Sequence, residues 1–548
     1  LELNLPQIHE AIAAAIPERD CIVHRGRQLS WSRVTEDTRR FAAFLSAHGV
    51  GRHGSLAGCE GWESPHDHVA LYLHNGPEYL EAMLGTMKAG AAAVNVNYRY
   101  VADELAYLLT DSASVAVVYH EAFTPTLAAV LPSLPDLRVL VRVPDGSGHE
   151  PLAGSVDWDD ALAGSDPSVV DDLARSWSGD DLYLLYTGGT TGSPKGVCWR
   201  QADFLVAALG LRAKDGSEFE SLDPLVERAR RSRLRALPAP PFMHGAAHWN
   251  AISAWTSGGT VVIQDRTEHL DPADLLDVCE REEATSMLIV GDPFARPIID
   301  ELRRRPRQLA SLSVIMSGGA ALTPRLADEL LELLPHVSIL DVLGSSESGR
   351  QGTRSTRAGR QAGTFAPSIG SVVLSHDLSR QLAAGEPEMG WLAQSGRTPR
   401  GYLGDPEKTA RTFPVVDGVR YAVPGDRARR RADGTIELHG RDAVTINTGG
   451  EKVFAEEVEA ALKTHPDVVD AIVVGRPSAR WGQEVVAVVS VRSGTDPSDQ
   501  SLLDACGEHL ARYKLPKAIV RREQVQRSPA GKPDYAWARA QFDDAVGP

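Results

Sequence analysis

The segment Thr187-Gly188-Gly189-Thr190-Thr191-Gly192-Ser193-Pro194-Lys195-Gly196 constrains this chain more than any other. It follows the apolar run Leu182-Tyr183-Leu184-Leu185-Tyr186, which reads as a buried strand. A strand that opens into glycines, hydroxyls and one lysine suits a polyphosphate. Glycines let backbone N–H groups approach the oxygens, the hydroxyls add donors, and Lys195 adds positive charge. A Walker loop needs Ser or Thr directly after its lysine. Here Pro194 precedes Lys195 and Gly196 follows it, so that template fails.

At 548 residues the chain is too long for one ordinary domain. A hydrophobic content of 43% is enough for large cores. The net charge of −16 disfavours nucleic acid and anionic membrane as partners, so a phosphate-rich ligand must be held by local groups. The five cysteines, Cys21, Cys59, Cys198, Cys279 and Cys506, are scattered and never form a C-x-x-C pair. That pattern points to reduced thiols and a cytoplasmic location, not to disulfides or zinc. No apolar run reaches the roughly 18 residues that a membrane span needs.

Short apolar runs alternate with helical patterns over residues 1–180. Residues 69–73, 115–119 and 139–141 read as strands; 41–45 lies in a helical pattern and 79–88 reads as a helix. The alternation predicts a mainly parallel α/β sheet. Residues 51–66 look like a loop insertion. Strand-like runs resume at 260–263, 287–290, 314–316 and 337–340, and 366–440 is turn-rich, as in a small β-rich subdomain. The patch 228–235 reads as a solvated helix face or loop. Beyond about residue 441 the character changes to a helix at 455–463 and strands at 468–474 and 485–491, a compact α+β unit.

Six further segments stand in a telling order. Pro240-Pro241-Phe242-Met243-His244-Gly245 places an imidazole in a turn. Ser317-Gly318-Gly319-Ala320-Ala321-Leu322 follows a strand with residues small enough for a flat base to lie on the backbone. Asp341-Val342-Leu343-Gly344-Ser345-Ser346-Glu347 ends in a hard oxygen donor. Tyr421-Ala422-Val423-Pro424-Gly425-Asp426 offers a carboxylate that can take two hydrogen bonds from a diol. A Gly-rich stretch, 440–452, holds Arg441 and Ala443. Ser528-Pro529-Ala530-Gly531-Lys532 carries a lysine near the C-terminus.

Together with the loop at 187–196, these segments resemble the motifs of the adenylate-forming superfamily: acyl-CoA synthetases, peptide-synthetase adenylation domains and beetle luciferases. The resemblance spans nearly the whole chain. It implies a large N-terminal domain (1–441) of α/β subdomains plus a β-rich one, and a small mobile C-terminal α+β lid (442–548). It implies that ATP is held by Thr187, Gly188, Gly189, Thr190, Thr191, Gly192 and Lys195. Gly318, Gly319 and Ala320 are implied against adenine, with Asp341 at its amino group and Ser346 nearby. Asp426 and Arg441 are the implied ribose contacts. Glu347, with Thr190, is the implied Mg²⁺ ligand, Ala443 the hinge, and Lys532 the catalytic lysine. His244 is implied beside the reacting carboxylate, and Trp249, Gly291, Gly318 and Ser345 are further candidates to line the acid pocket. Four positions depart from the usual pattern: Gly188 replaces Ser, Leu343 Tyr, Ser346 Thr, and Ala443 Asp or Lys.

The implied reaction is ATP-dependent activation of a carboxylic acid as acyl-AMP, followed by transfer to the thiol of CoA. The strings Val197-Cys198-Trp199-Arg200, Gly291-Asp292-Pro293-Phe294-Ala295-Arg296-Pro297 and 528–535 are similar to those of actinobacterial acyl-CoA ligases for bulky carboxylates such as steroid side-chain acids. Terpenoid acids and medium- or long-chain fatty acids stay open as substrates. So do a separate carrier protein as acceptor, a luciferase-like oxygenase, a nucleotide sensor, and a homodimer.

Overall fold

Strands that are apolar on both faces pair side by side beneath covering helices. The computed structural model describes residues 2–189, 192–355, 364–441, 444–448, 451–478, 482–510, 512–528 and 531–542. Near the N-terminus, strands Ala92–Asn95, His68–Tyr72, Ser114–His120, Val139–Val143 and Val156–Asp157 form a parallel sheet in that order. Helices Trp31–Ala47 and Pro77–Lys88 pack on one face, where Phe41, Leu80 and Leu84 join Val69 and Val118 in a common core.

A second parallel array runs Asp20–His24, Thr260–Ile263, Arg235–Pro238, Ser286–Ile289, Val314–Gly318 and Ser338–Ser345. Helices Pro272–Arg281, Gly291–Arg304 and Pro324–Leu333 supply the leucines and isoleucines of its core. The sheet then turns antiparallel through Gly349–Ser355, Thr364–Pro367, Ile436–Arg441, Asp426–Arg430 and Gly390–Ser395. The β-rich segment is therefore not set apart from the large sheet. Thr364–Pro367 pairs on one side with Gly349–Ser355 and on the other with Ile436–Arg441, which carries backbone bonding across the boundary.

The phosphate-type loop differs from a strand-to-helix turn. Leu182–Gly189 and Gly192–Arg200 pair antiparallel, with Thr187 opposite Lys195 and Gly189 opposite Gly192. Thr190 and Thr191 lie outside the described residues. Gly401–Tyr402 adds a third strand to this hairpin.

The C-terminal unit has its own sheet, ordered Glu451–Phe454, Thr445–Thr448, Gly482–Val491 and Val468–Ser478, with Ala518–Arg521 parallel to Gly482–Val491. Val458, Leu462, Ile472, Val488 and Leu502 form a separate core. The fold is thus mixed α/β, with a large N-terminal part and a small C-terminal one. Among the described residues no helix is long and apolar enough to cross a membrane.

Two local readings are refined. Residues 51–66 hold one short 3-10 turn, Leu56–Gly58, and grip the strand Gly401–Tyr402. Arg400 Nη2 donates to the Cys59 and Glu60 carbonyls at 2.6 and 3.0 Å, and the Gly404 amide donates to Trp62 O at 2.9 Å. The basic patch is only partly solvated. Arg230 and Arg231 are exposed, but Arg228 donates to Thr256 O at 2.8 Å, and Arg235 pairs with Asp20 at 3.1 Å and with Glu282 at 3.6 Å.

Candidate functional site

Both parallel sheets point the carboxyl ends of their strands at one crevice, where open α/β sheets take ligands. Two asparagines at strand ends tie the sheets together there. Asn75 Nδ2 donates to Pro240 O at 3.0 Å and its Oδ1 accepts from the Phe242 amide at 2.5 Å. Asn95 Nδ2 donates to Tyr186 O and Met243 O at 2.8 and 2.7 Å, and its Oδ1 accepts from the Tyr186 amide at 2.8 Å. Asn95 thus couples the base of the Gly-rich hairpin to the turn that carries His244. Sequence reasoning missed both residues. Their only signal is a polar side chain at the end of an apolar run.

Lys195 is not a free positive charge in this arrangement. Its Nζ pairs with Asp111 Oδ1 at 2.9 Å. Burial works against its charge, but Asp111 and Tyr107 outweigh that and raise its pKa. Asp111 ends the helix Ala102–Asp111 and also accepts from Tyr186 OH at 3.0 Å and Tyr107 OH at 3.1 Å. One carboxylate therefore holds both strands of the hairpin through Tyr186 and Lys195.

His244 caps the start of the helix Gly245–Trp255. Its Nε2 is buried and has no partner among the described residues. Burial, helped by the charge of Lys532, lowers its pKa to about 3, so the ring is neutral near pH 7. His244 and Lys532 line the same cavity of about 600 Å³, together with Asn95, Tyr186, Met243 and Tyr535. The described residues around Lys532 are hydrogen-bonded within the small unit. The Ser528 amide donates to Lys532 O at 2.8 Å, and Arg527 donates to both oxygens of Asp470 at 2.5 and 2.7 Å. Gly531, at φ 71°, packs so closely that a Cβ would lie 3.1 Å from Val290. The small unit is thus seated on the large one with its lysine facing the crevice.

Glu347 lies between the strands Ser338–Ser345 and Gly349–Ser355. Tyr402 OH donates to its Oε1 at 2.9 Å, and Trp199 Nε1 donates to Ser346 O at 2.9 Å. The 51–66 segment therefore steadies the strand that positions Glu347. Among the described residues no group of three or more His, Cys, Asp or Glu side chains could hold a metal. A lone carboxylate suits a hard cation that draws its other ligands from phosphates and water.

Asp341 stands directly opposite Arg354, whose Nε and Nη2 donate to Oδ2 at 2.9 and 2.6 Å. Its Oδ1 is buried with no partner among the described residues, leaving one acceptor for a ligand. Gly318 ends the strand beside Val342, and Gly319 (φ 86°) and Ala320 follow it. Gly291 opens the helix Gly291–Arg304 at φ 51°. A Cβ there would lie 2.3 Å from Ala321 O and 2.8 Å from Ala320 O, so this glycine lets the 318–321 loop rest on the helix start. Asp426 and Arg441 are direct cross-strand partners, which brings these distant positions together. Ala443 lies outside the described residues.

Along the helix Gly245–Trp255 the half-buried Ala246, Trp249, Asn250 and Ser253 are spaced as one helical stripe. Opposite them lie the half-buried Met316, Gly318, Leu340 and Val342, which share one face of the parallel sheet. Asn250 Nδ2 donates to Met316 Sδ at 3.5 Å, which joins the helix to the sheet. Trp249 is fixed by a hydrogen-bonded chain that the sequence did not reveal. Its Nε1 donates to Tyr183 OH at 2.6 Å, and Tyr183 donates in turn to His248 Nε2. His248 Nδ1 donates to Phe242 O at 2.6 Å, which settles the tautomer, and burial lowers its pKa to about 4. Ser345 Oγ lies 2.9 Å from Ser348 Oγ.

Known proteins carry the same organisation. Residues 9–398 match the AMP-binding enzyme family, and residues 457–532 match the AMP-binding enzyme C-terminal domain. The chain is 48% identical over 543 residues to a medium-chain acyl-CoA ligase, Mig, of Mycobacterium avium, covering 98% of each chain. It is 38% identical over 556 residues to a medium/long-chain-fatty-acid–CoA/3-oxocholest-4-en-26-oate–CoA ligase of Mycolicibacterium smegmatis, covering 98% of this chain and 96% of the relative. The fold is shared with the crystal structure of the anthranilate CoA ligase AuaEII in complex with anthranoyl-AMP, at a TM-score of 0.80 and 21% identity over 99% and 98% of the two chains. The chain is an enzyme of the AMP-binding family, with both the large family domain and its C-terminal companion.

Proposed function

We propose that this enzyme is an AMP-forming acyl-CoA ligase that joins a bulky or long carboxylic acid to CoA. The observation that carries the reading is the convergence of His244 and Lys532, from opposite units, on one cavity. The printed activities of the Mycobacterium and Mycolicibacterium relatives support CoA as acceptor and an acid of the fatty or steroid side-chain class.

In the first half-reaction the substrate carboxylate attacks the α-phosphorus of ATP and pyrophosphate leaves. Lys532, as the catalytic lysine, donates to the oxygens that gain negative charge. The backbone of the 187–192 turn receives the phosphates, while Lys195 keeps the hairpin base tied to Asp111. Asp341 accepts from the adenine amino group through its open Oδ1, and Asp426 with Arg441 receives the ribose. Glu347 with Thr190 would hold Mg²⁺, which would neutralise charge on the phosphates. His244, neutral, hydrogen-bonds beside the carboxylate and closes the mouth of the acyl cleft lined by Trp249, Gly318 and Ser345.

In the second half-reaction the lid, residues 442–548, turns about the linker at Ala443. The CoA thiolate then attacks the acyl-adenylate carbonyl and AMP leaves. Division into two steps lets ATP activate a poor electrophile.

The test is acid-dependent pyrophosphate release over fatty, aryl, steroid and terpenoid acids, with and without CoA, with product masses read in the same reactions. Release with an acyl-CoA mass is expected. Release with acyl-AMP alone would move the acceptor to a carrier protein. No release with any acid would overturn the ligase reading.

A further inference from the structure

Two lysines stand beside the Gly-rich hairpin, and they differ in what holds them. Lys195 is paired with Asp111 at 2.9 Å. Lys408, on the helix Pro406–Thr412, is half-buried, and its Nζ makes no hydrogen bond or ion pair with any described residue. Its ammonium instead sits 4.1 Å from the centroid of the Tyr402 ring. That contact holds a cation in place without neutralising it. Asp405 caps the helix and accepts from the Lys408 amide at 2.9 Å, not from the ammonium. Burial lowers the pKa of Lys408, and the nearby charges of Glu347 and Asp405 do not make up the loss.

The same ring fixes where this charge lies. Tyr402 OH donates to Glu347 Oε1 at 2.9 Å, so one tyrosine carries Lys408 on its face and Glu347 at its hydroxyl. Tyr402 also pairs with Val197 of the hairpin, and the Leu403 amide donates to Gly196 O at 2.8 Å. Gly196 directly follows Lys195, whose charge acts on Lys408. Hairpin, Glu347 and Lys408 are thus joined through one two-residue strand. Lys408 is not among the residues lining the cavity of His244 and Lys532, so it stands away from the reacting carboxyl. A partly desolvated cation with no anionic partner is costly, and a ligand that brings negative charge removes the cost.

We propose that Lys408 is a further substrate-contacting residue that donates to β- and γ-phosphate oxygens of ATP, the half that leaves as pyrophosphate. In the first half-reaction the bond from the α-phosphorus to the bridging oxygen breaks, and its electron pair departs on pyrophosphate. An ammonium already seated on Tyr402 meets that charge without reorganising. Lys195 keeps Asp111, so the hairpin's own lysine need not change partners. The inference rests on the ligase reading and assigns a residue to its leaving group.

The test runs the first half-reaction both ways, with an acid that the wild-type enzyme activates. The KM of ATP is read forward, and the KM of inorganic pyrophosphate is read in reverse from supplied acyl-AMP. Lys408→Met, which keeps the stem and loses the charge, should raise both KM values by about ten- to a hundredfold. Lys408→Arg should recover most of the loss. Acyl transfer from supplied acyl-AMP to CoA involves no pyrophosphate and should change much less. The Mg²⁺ midpoint at saturating ATP should not rise in Lys408→Met, because a cation beside Glu347 competes with the metal. An unchanged KM for pyrophosphate would overturn the inference and leave the ligase reading in place. So would equal damage to acyl transfer, or a raised Mg²⁺ midpoint, since either would reduce Lys408 to packing that holds Tyr402 and Glu347. No pyrophosphate release by the wild type with any acid would overturn both.

Discussion

Lys463 Nζ and Asp292 Oδ2 meet at 2.9 Å in a buried ion pair that bridges the small C-terminal unit and the large N-terminal one. Burial opposes the lysine charge, but Asp292 and Asp470 outweigh it and raise the Lys463 pKa. Asp292 Oδ1 also accepts from the Thr323 amide at 2.7 Å, so the carboxylate is oriented before the lysine reaches it. A lid that turns must break this pair, and removal of one partner from a buried pair is strongly destabilising. Asp292→Asn is therefore expected to slow adenylation by about tenfold or more. Thioester formation from a supplied acyl-adenylate should fall much less. Assays of the two half-reactions read the difference, and equal slowing of both would contradict a latch specific to the seated arrangement.

Lys532→Ala should remove charge stabilisation only in the first half-reaction. Loss of one donor to a developing oxyanion typically lowers kcat by about 10²–10³. We expect that loss in acid-dependent pyrophosphate release, with much less change in acyl transfer from preformed acyl-AMP. An equal loss in both would mean that the lid does not leave the crevice between steps.

Glu347→Gln should raise the Mg²⁺ concentration needed for half-maximal pyrophosphate release, because the amide keeps the shape but loses the charge. Tyr402→Phe, which removes the 2.9 Å hydrogen bond to Glu347, should shift the same midpoint less. A magnesium titration separates the two variants from wild type. Unchanged midpoints would place the ion elsewhere.

Acid should destabilise the fold steeply. His24, His120 and His248 have pKa values lowered to about 4 and His244 to about 3, each chiefly by burial. Unfolded histidines titrate near ~6.5. Between that value and about 4 the unfolded state binds more protons, so stability falls as pH falls. A tenfold difference in proton affinity between the two states corresponds to roughly 1.4 kcal/mol. The Tm should therefore be high at pH 7.5 and drop progressively through pH 6 and pH 5. A Tm independent of pH over that range would show that these rings are not neutral in the folded chain.

Most secondary structure was legible because hydrophobic periodicity is local. The runs at 115–119, 260–263 and 314–316 lie in strands, 69–73 overlaps the strand His68–Tyr72 and overruns it by one residue, and 79–88 lies in the helix Pro77–Lys88. The order of the Gly-rich and acidic motifs also named a chemistry before any pairing was known. The hairpin form of the 187–196 loop was less legible, since proline and glycines there hide the alternation of Gly192–Arg200. The close packing of Gly291 on the carbonyls of Ala320 and Ala321 was not legible, because it depends on how a helix start meets a loop remote in sequence.

By itself the sequence determined the α/β class, the two-part layout and the chemical type of each motif, because residue type and spacing act over a few neighbours. Only the tertiary structure decided which side chains meet. Lys195 finds Asp111 across 84 positions, Asn95 finds Tyr186 across 91, and Glu347 finds Tyr402 across 55. Those partnerships are set by sheet register and by the seating of one unit on another, and no local pattern encodes either.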